Sequence, residues 1–300
     1  MKNKFRFLKV ALPAVLIMAG LMLTSCGKDD DDDDDDGKIN PDTIATTNLI
    51  AHFDFEAVPS AGATVANSNS TITFVSKVGA ANIVPGRRGN AFQGSTSEAY
   101  FEYNVSGASA LKTLDEFTLA CWVKAPATTS GAAKIFNING GDPFMGTLTL
   151  MQESVPGDSL DIKHYLYDSE SPDWKGHDVR YSNQKFLDNL WFHLVSIYRK
   201  ETSSMELWAN GIKVNESIRY AGPDPDGDGP LPQPLLGPIK LGQDMTKIHF
   251  GAWAQHIAGN PDDWMKYYGG MVDEFRIYNK ALSADEVLAL YQAEVTQINP

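Results

Sequence analysis

Two segments concentrate the residue types that grip a hydroxyl-rich ligand. Between Ser159 and Tyr181 lie Tyr165, Asp168, Asp173, Trp174 and His177. Between Gln243 and Tyr268 lie Trp253, Gln255, His256, Asp262, Asp263, Trp264 and Tyr267. Flat rings stack on the C–H faces of sugar rings, and carboxylates and amides exchange hydrogen bonds with hydroxyls. Trp174, Trp253, Trp264, Tyr165, His256 and Tyr267 are therefore the candidates for a carbohydrate site. The competing reading is that the same aromatics fold these segments onto the body of the protein. A second constellation is Asp224-Pro225-Asp226-Gly227-Asp228-Gly229. Carboxylates at alternate positions can converge on Ca2+, and glycine permits the turn. The twelfth position is Leu235 rather than glutamate, which excludes an EF-hand and leaves either a looser calcium loop or a plain acidic turn. The adjacent pair Asp273-Glu274 invites an acid–base reading. Neighbours on a regular strand point to opposite faces, so this pair is not expected to converge on one bond.

The elements that must position these groups read as strands. Leu49–Phe55, Ile72–Val75 and Ala99–Tyr103 alternate or are β-branched and aromatic. Trp191–Tyr198 and Met205–Trp208 flank a polar loop. Asn210-Gly211 is a type I′ signal that predicts a hairpin between Met205–Ala209 and Ile212–Ile218. Many short strands without a βαβ rhythm predict a β-sandwich. One helix is expected at the C-terminus, where Ser283-Ala284-Asp285-Glu286 forms a capping box. Val287, Leu288, Leu290 and Tyr291 give it an apolar face suited to the sandwich edge. Gly222–Pro238, rich in proline and glycine, reads as a long loop.

The N-terminus speaks to location. Lys2, Lys4, Arg6 and Lys9 precede an apolar stretch, Val10–Leu23, that is short for a membrane span and reads as a signal peptide. It ends in Leu23-Thr24-Ser25-Cys26, which resembles a bacterial lipobox and makes Cys26 the expected lipidation site. Asp29–Asp36 is an unbroken acidic run that repels itself and reads as a solvated tether. An acidic run directly after the lipidated cysteine resembles the surface-export signal of Bacteroidetes lipoproteins. The expected organisation is signal peptide 1–25, disordered tether 26–47 and one domain 48–300. The expected place is the outer membrane, facing outward. Cleavage after residue 25 removes four cations and takes the net charge from -13 to -17. That balance argues against nucleic acid and anionic lipid as partners. With Cys26 lipidated, Cys121 has no partner for a disulfide, and its apolar strand predicts a buried, inert thiol.

Four segments in order resemble the LamG-type concanavalin A-like lectin/glucanase family. Gly89-Asn90-Ala91-Phe92 with Tyr100 is similar to its "GNAL…Y" strand, and Phe117-Thr118-Leu119 with Trp122-Val123 to its "FTLSAWV" strand. Trp191-Phe192-His193-Leu194 with Leu207–Gly211 is similar to "WHHV…LYVNG". Gly270–Asn279 with Ala281-Leu282-Ser283 is similar to "G-IDEVRIYNRALS". The resemblance implies an all-β jelly-roll sandwich of two antiparallel sheets with a short C-terminal helix. It implies that Trp122, Trp191 and Trp208 pack in the core or between the sheets, and that His193 is structural. It also implies a structural calcium at the sheet edge, held by Asp273 with Asp54 or Glu56.

The expected function is a non-catalytic, surface-anchored carbohydrate-binding lipoprotein that captures polysaccharide, with a glycan-uptake complex as an expected partner. The alternatives are a glycoside hydrolase or lyase of the same fold, or a protein-binding adhesion module. The laminarinase-type E-x-D-x-x-E strand does not occur; Glu98–Glu102 comes nearest and lacks the central aspartate.

Overall fold

Alternation along the strands, broken only by bulges, assigns each residue to one of two faces and builds two eight-stranded sheets. The computed structural model describes residues 39–126, 131–155, 159–171, 175–220 and 235–296. Cys26, the acidic run, Trp174 and the triad Asp224, Asp226 and Asp228 lie outside them, as does most of the expected Gly222–Pro238 loop. The strands are β1 (Leu49–Phe53), β2 (Ile72–Gly79), β3 (Asn82–Pro85), β4 (Asn90–Gln93), β5 (Ala99–Val105), β6 (Phe117–Lys124), β7 (Ala132–Asp142) and β8 (Gly146–Val155). They continue with β9 (Ser159–Tyr167), β10 (Gly176–Asn183), β11 (Trp191–Arg199), β12 (Ser204–Ala209), β13 (Ile212–Ile218), β14 (Lys247–Phe250), β15 (Met265–Lys266) and β16 (Met271–Tyr278). The helices are α1 (Ala254–Ala258) and α2 (Ala284–Thr296).

The first sheet runs β13-β12-β11-β6-β16-β4-β3, with β1 also on β16. The second runs β10-β9-β8-β7-β14-β5-β2. All pairs are antiparallel except the two-residue β15, which lies parallel to β7. The jelly-roll sandwich is therefore as the sequence predicts. So is the β12–β13 hairpin, where Ala209 pairs with Ile212 across Asn210 and Gly211, both at positive φ.

Between the sheets lies an aromatic core. Phe136 and Phe275 approach to 4.3 Å between ring centres, and Phe250 touches Phe53 and Phe55 at 5.0 Å each. Edge and tilted pairs of this kind contribute about 0.5–1.5 kcal/mol each beyond their burial. Cys121 points into this core, and burial holds its thiol well above the ordinary value.

The helix α2 does not sit at an edge. Its Val287 and Leu290 pack on Ala120, Val195, Ile197, Trp208 and Tyr278, the outward residues of the first sheet. The capping box forms as expected: Glu286 N–H donates to Ser283 Oγ at 3.2 Å and Ser283 N–H to Glu286 Oε2 at 2.8 Å. Because the helix roofs this sheet, β6, β11 and β12 are buried on both faces, whereas edge strand β13 is largely exposed. Trp122 and Trp208 are therefore buried beneath the outer layer, not between the sheets, and Trp191 is only half-buried.

The folded body also starts earlier than residue 48. Asn40 caps a turn at Pro41–Thr43, Pro41 is buried, and Asp42 reaches the guanidinium of Arg276 at 2.9 Å. Residues 40–47 therefore belong to the body rather than to a disordered tether. The described residues fall within one compact unit, 38–300.

Candidate functional site

The second sheet carries one apolar and one polar row across its strands. Phe101, Phe250, Phe136, Leu150, His164 and Val179 are successive cross-strand partners facing the core. One position away, Glu102, His249, Asn137, Thr149, Tyr165 and Asp178 are partners on the outward face. The row crosses six strands without an apolar residue. Tertiary context is the cause: α2 roofs the first sheet, and the second sheet keeps its outward face for polar groups.

The row is internally bonded. Thr149 Oγ1 lies 2.9 Å from Asn137 Oδ1, and Tyr165 Oη donates to Asp142 Oδ2 at 3.0 Å. His249 Nε2 lies 3.3 Å from Glu102 Oε2, and Lys247 Nζ lies 2.5 Å from Glu102 Oε1. These contacts, the histidine's first, outweigh burial and hold the Glu102 carboxyl down at about 2. Lys134, on the same face, is completely buried. Its Nζ donates to Asn137 Oδ1 at 3.1 Å, Phe144 O at 3.3 Å and Met145 O at 2.8 Å. Burial lowers its ammonium to about 7, against the opposing pull of Asp142.

Above Lys134 sits an aromatic group. Trp253 covers the ammonium, its ring centre 4.5 Å from Nζ, and its indole N–H donates to Ala132 O at 3.1 Å. Trp253 is fully buried with Ala132, Met151 and Met265, so its ring is not free to stack on a ligand. Tyr165 is also buried, with its hydroxyl spent on Asp142. These two sequence-predicted ligand contacts are corrected to packing residues. Trp264 is different: it is 41 % exposed and leans on Phe144, which is 39 % exposed, at 5.5 Å. Ile257 on α1 is exposed as well. His256 and Tyr267 stack face to face at 3.8 Å and remain partly accessible. The structure thus brings Trp264, His256 and Tyr267 into the loops beside the outward face.

Sequence reasoning missed Phe144, Lys134, Asn137 and Thr149. Their signal was available: Asn137 and Asn139 alternate with Ile138, and Thr147 and Thr149 with Leu148 and Leu150. That period-2 polarity in an otherwise apolar stretch marks a second functional face.

Asp273, expected at a calcium site on the sheet edge, has one carboxylate oxygen already engaged by backbone amides. It is fully buried, and its Oδ2 accepts N–H bonds from Arg87 at 2.8 Å and Arg88 at 2.9 Å. Burial pushes its carboxyl up to about 8, against the opposing amide bonds. Glu56 instead accepts from Asn90 N–H. The alternation argument also fails here. The β6–β16 register slips between Asp273 and Arg276, and Glu274 takes φ +50°. This bulge turns Asp273 and Glu274 to the same outer face. There, Arg276 bonds Glu274, Glu294 and Asp42, and Arg88 reaches Glu274 at 3.3 Å. Among the described residues, Asp42, His52 and Glu274 bring potential metal-ligand atoms within 4.8 Å of one another. Guanidinium groups already fill the space between them. The cluster locks α2 and the 40–48 segment onto the sheet. His193 fits the same purpose: it is buried between Trp122 and Tyr291, and burial lowers its imidazole to about 3.

No family model matches the chain. No curated protein matches it either. Solved structures do. The binding domain of Paraclostridial Mosquitocidal Protein 1 is similar at TM-score 0.56 and 17 % identity, over 82 % of this chain and 52 % of that one. The receptor binding domain of botulinum neurotoxin mosaic serotype C/D is similar at TM-score 0.55 and 13 % identity, over 82 % and 51 %. The botulinum neurotoxin serotype D ligand binding domain in complex with N-acetylneuraminic acid gives TM-score 0.53 and 16 % identity, over 83 % and 52 %. The chain thus spans about half the length of these chains. At such identities the likeness establishes the sandwich fold.

Proposed function

We propose that this chain is a non-catalytic carbohydrate-binding module of LamG-like type, carried on the outer face of the outer membrane by a lipid on Cys26. The observation that carries the reading is the exposed Trp264–Phe144 pair beside the polar row of the second sheet. An apolar ring platform bordered by hydrogen-bonding groups matches the two surfaces of a sugar. A solved structure of similar fold binds N-acetylneuraminic acid, which supports a glycan as the ligand class. The acidic run suits a tether that holds the module clear of the bilayer. Capture of polysaccharide for a neighbouring uptake system is the role we assign to such an anchored module.

The test is a glycan array probed with the full chain, including neutral and sialylated oligosaccharides. Specific retention of an oligosaccharide series, without its cleavage, is the expected result. Absence of binding to every glycan would remove the proposal and bring an adhesion partner forward.

A further inference from the structure

The polar row is not open along its length. The β7–β8 connection, residues 142–146, folds back over its middle. The Met145 carbonyl accepts from Lys134 Nζ at 2.8 Å and from Thr149 Oγ1 at 2.5 Å, and the Phe144 carbonyl accepts from Lys134 Nζ at 3.3 Å. Gly146 permits this approach, since a Cβ there would stand 2.3 Å from Asn137 Oδ1. Asp142 Oδ1 accepts from the Phe144 and Met145 amides at 2.7 and 2.9 Å, so the tip is a self-braced piece. Gln255 Nε2 clips it from the side, donating to Pro143 O at 3.2 Å.

Next to Gly146, Asn137 Nδ2 has no partner among the described residues, and on the adjacent strand His249 Nδ1 has none. The two residues are directly paired across β7 and β14. Glu102 Oε2 faces His249 Nε2, so in the neutral imidazole that nitrogen takes the proton and Nδ1 the lone pair. With the ring neutral, the paired residues offer one donor and one acceptor on adjacent strands. A hydroxyl satisfies both, accepting from the amide and donating to the imidazole. A carbonyl has no proton to give, and an ammonium has no lone pair.

We propose that residues 142–146 are a displaceable cover over a saccharide subsite floored by Lys134, Asn137, Thr149 and His249. The cover's two carbonyls stand where ligand oxygens belong. Neighbouring hydroxyls of one sugar would take over the Lys134 and Thr149 bonds and supply the Asn137 and His249 bonds the cover leaves unmade. Trp264 would then be the outer platform, Phe144 would move with the cover, and the uncovered floor would be the inner, orienting half of one site. This rests on the glycan reading above and adds where the sugar is oriented and what must move.

The experiment uses the full chain carrying Cys26→Ser, Pro143→Cys and Gln255→Cys, with and without bridging by a short bis-maleimide. Affinity is measured for the tightest oligosaccharide of the array. Bridging should weaken binding about tenfold or more, and His249→Phe without bridging should do the same at a temperature where the variant is still folded, since it also loses the Glu102 contact. Equal affinity in the bridged and unbridged forms would overturn the cover and leave Asn137 and His249 as hydration sites only. If the wild-type chain binds no glycan, the functional reading falls separately, and amide exchange still tests the cover. Exchange at Phe144–Gly146 orders of magnitude faster than at Leu148–Met151 supports displacement; equal protection excludes it.

Discussion

Two tryptophans eleven residues apart between β14 and β15 have opposite duties. Trp253 is packed over Lys134, and Trp264 presents its ring to solvent. Trp253→Ala should cost about 3–5 kcal/mol of stability through the cavity it leaves, read by chemical denaturation. Trp264→Ala should leave the melting temperature nearly unchanged. The sequence offered no means of separating them, since both lie in a polar, aromatic stretch. Burial of Trp253 was decided chiefly by Ala132 of β7 and Met151 of β8, which come from elsewhere in the chain. Glu102 makes a pH prediction. Its carboxyl is depressed by His249 and Lys247, so its contribution to stability is fully present above the ordinary glutamate range. That contribution is lost as pH falls through about 2. Glu102→Gln should flatten the acid limb of a plot of denaturation midpoint against pH between roughly 4.5 and 2. An unchanged limb would assign acid sensitivity to other carboxylates.

Helix α2 and the 40–48 segment are held to the first sheet through Arg276. Its buried guanidinium is opposed by desolvation, but Glu294 and Glu274 more than offset this and keep it charged. Removing one member of such a set strands the others without solvent. Arg276→Ala should therefore destabilise the fold by about 3–5 kcal/mol, measured by urea unfolding. The helix itself was legible, because its capping box is local in sequence. Its docking on the sheet face rather than the edge was not, because that depends on Glu294 meeting Arg276 and Trp122. Glu274 shows the same limit from the other side. A bulge at a non-glycine residue cannot be read from strand alternation, and it reversed the facing expected for the Asp273-Glu274 pair. With Asp273 committed to backbone amides, Asp224, Asp226 and Asp228 are the remaining calcium proposal, resting on spacing alone. If they bind calcium, a chelator lowers the melting temperature, and Asp226→Asn with Asp228→Asn abolishes that drop. No effect of the chelator would reduce the triad to an acidic turn.

At the scale of the molecule, the jelly roll was readable because hydrophobic alternation and turn chemistry agree along most of the chain. The site was only partly readable. Loop aromatics stood out as composition, while the polar row exists only once six strands are in register. Anchoring belongs to this scale too. Cys26→Ala should move the protein from the membrane fraction to the soluble fraction, since the acidic run has no affinity of its own for a bilayer. Retention in the membrane fraction would contradict the lipid anchor. The central claim, that the outward face of the second sheet binds glycans, is tested most directly by paired binding isotherms and melting curves for the wild type and Trp264→Ala on the tightest array oligosaccharide. The account predicts a loss of affinity of about tenfold, roughly 1.4 kcal/mol, with the melting temperature preserved. Undiminished binding by Trp264→Ala, or a loss that tracks unfolding, would contradict it.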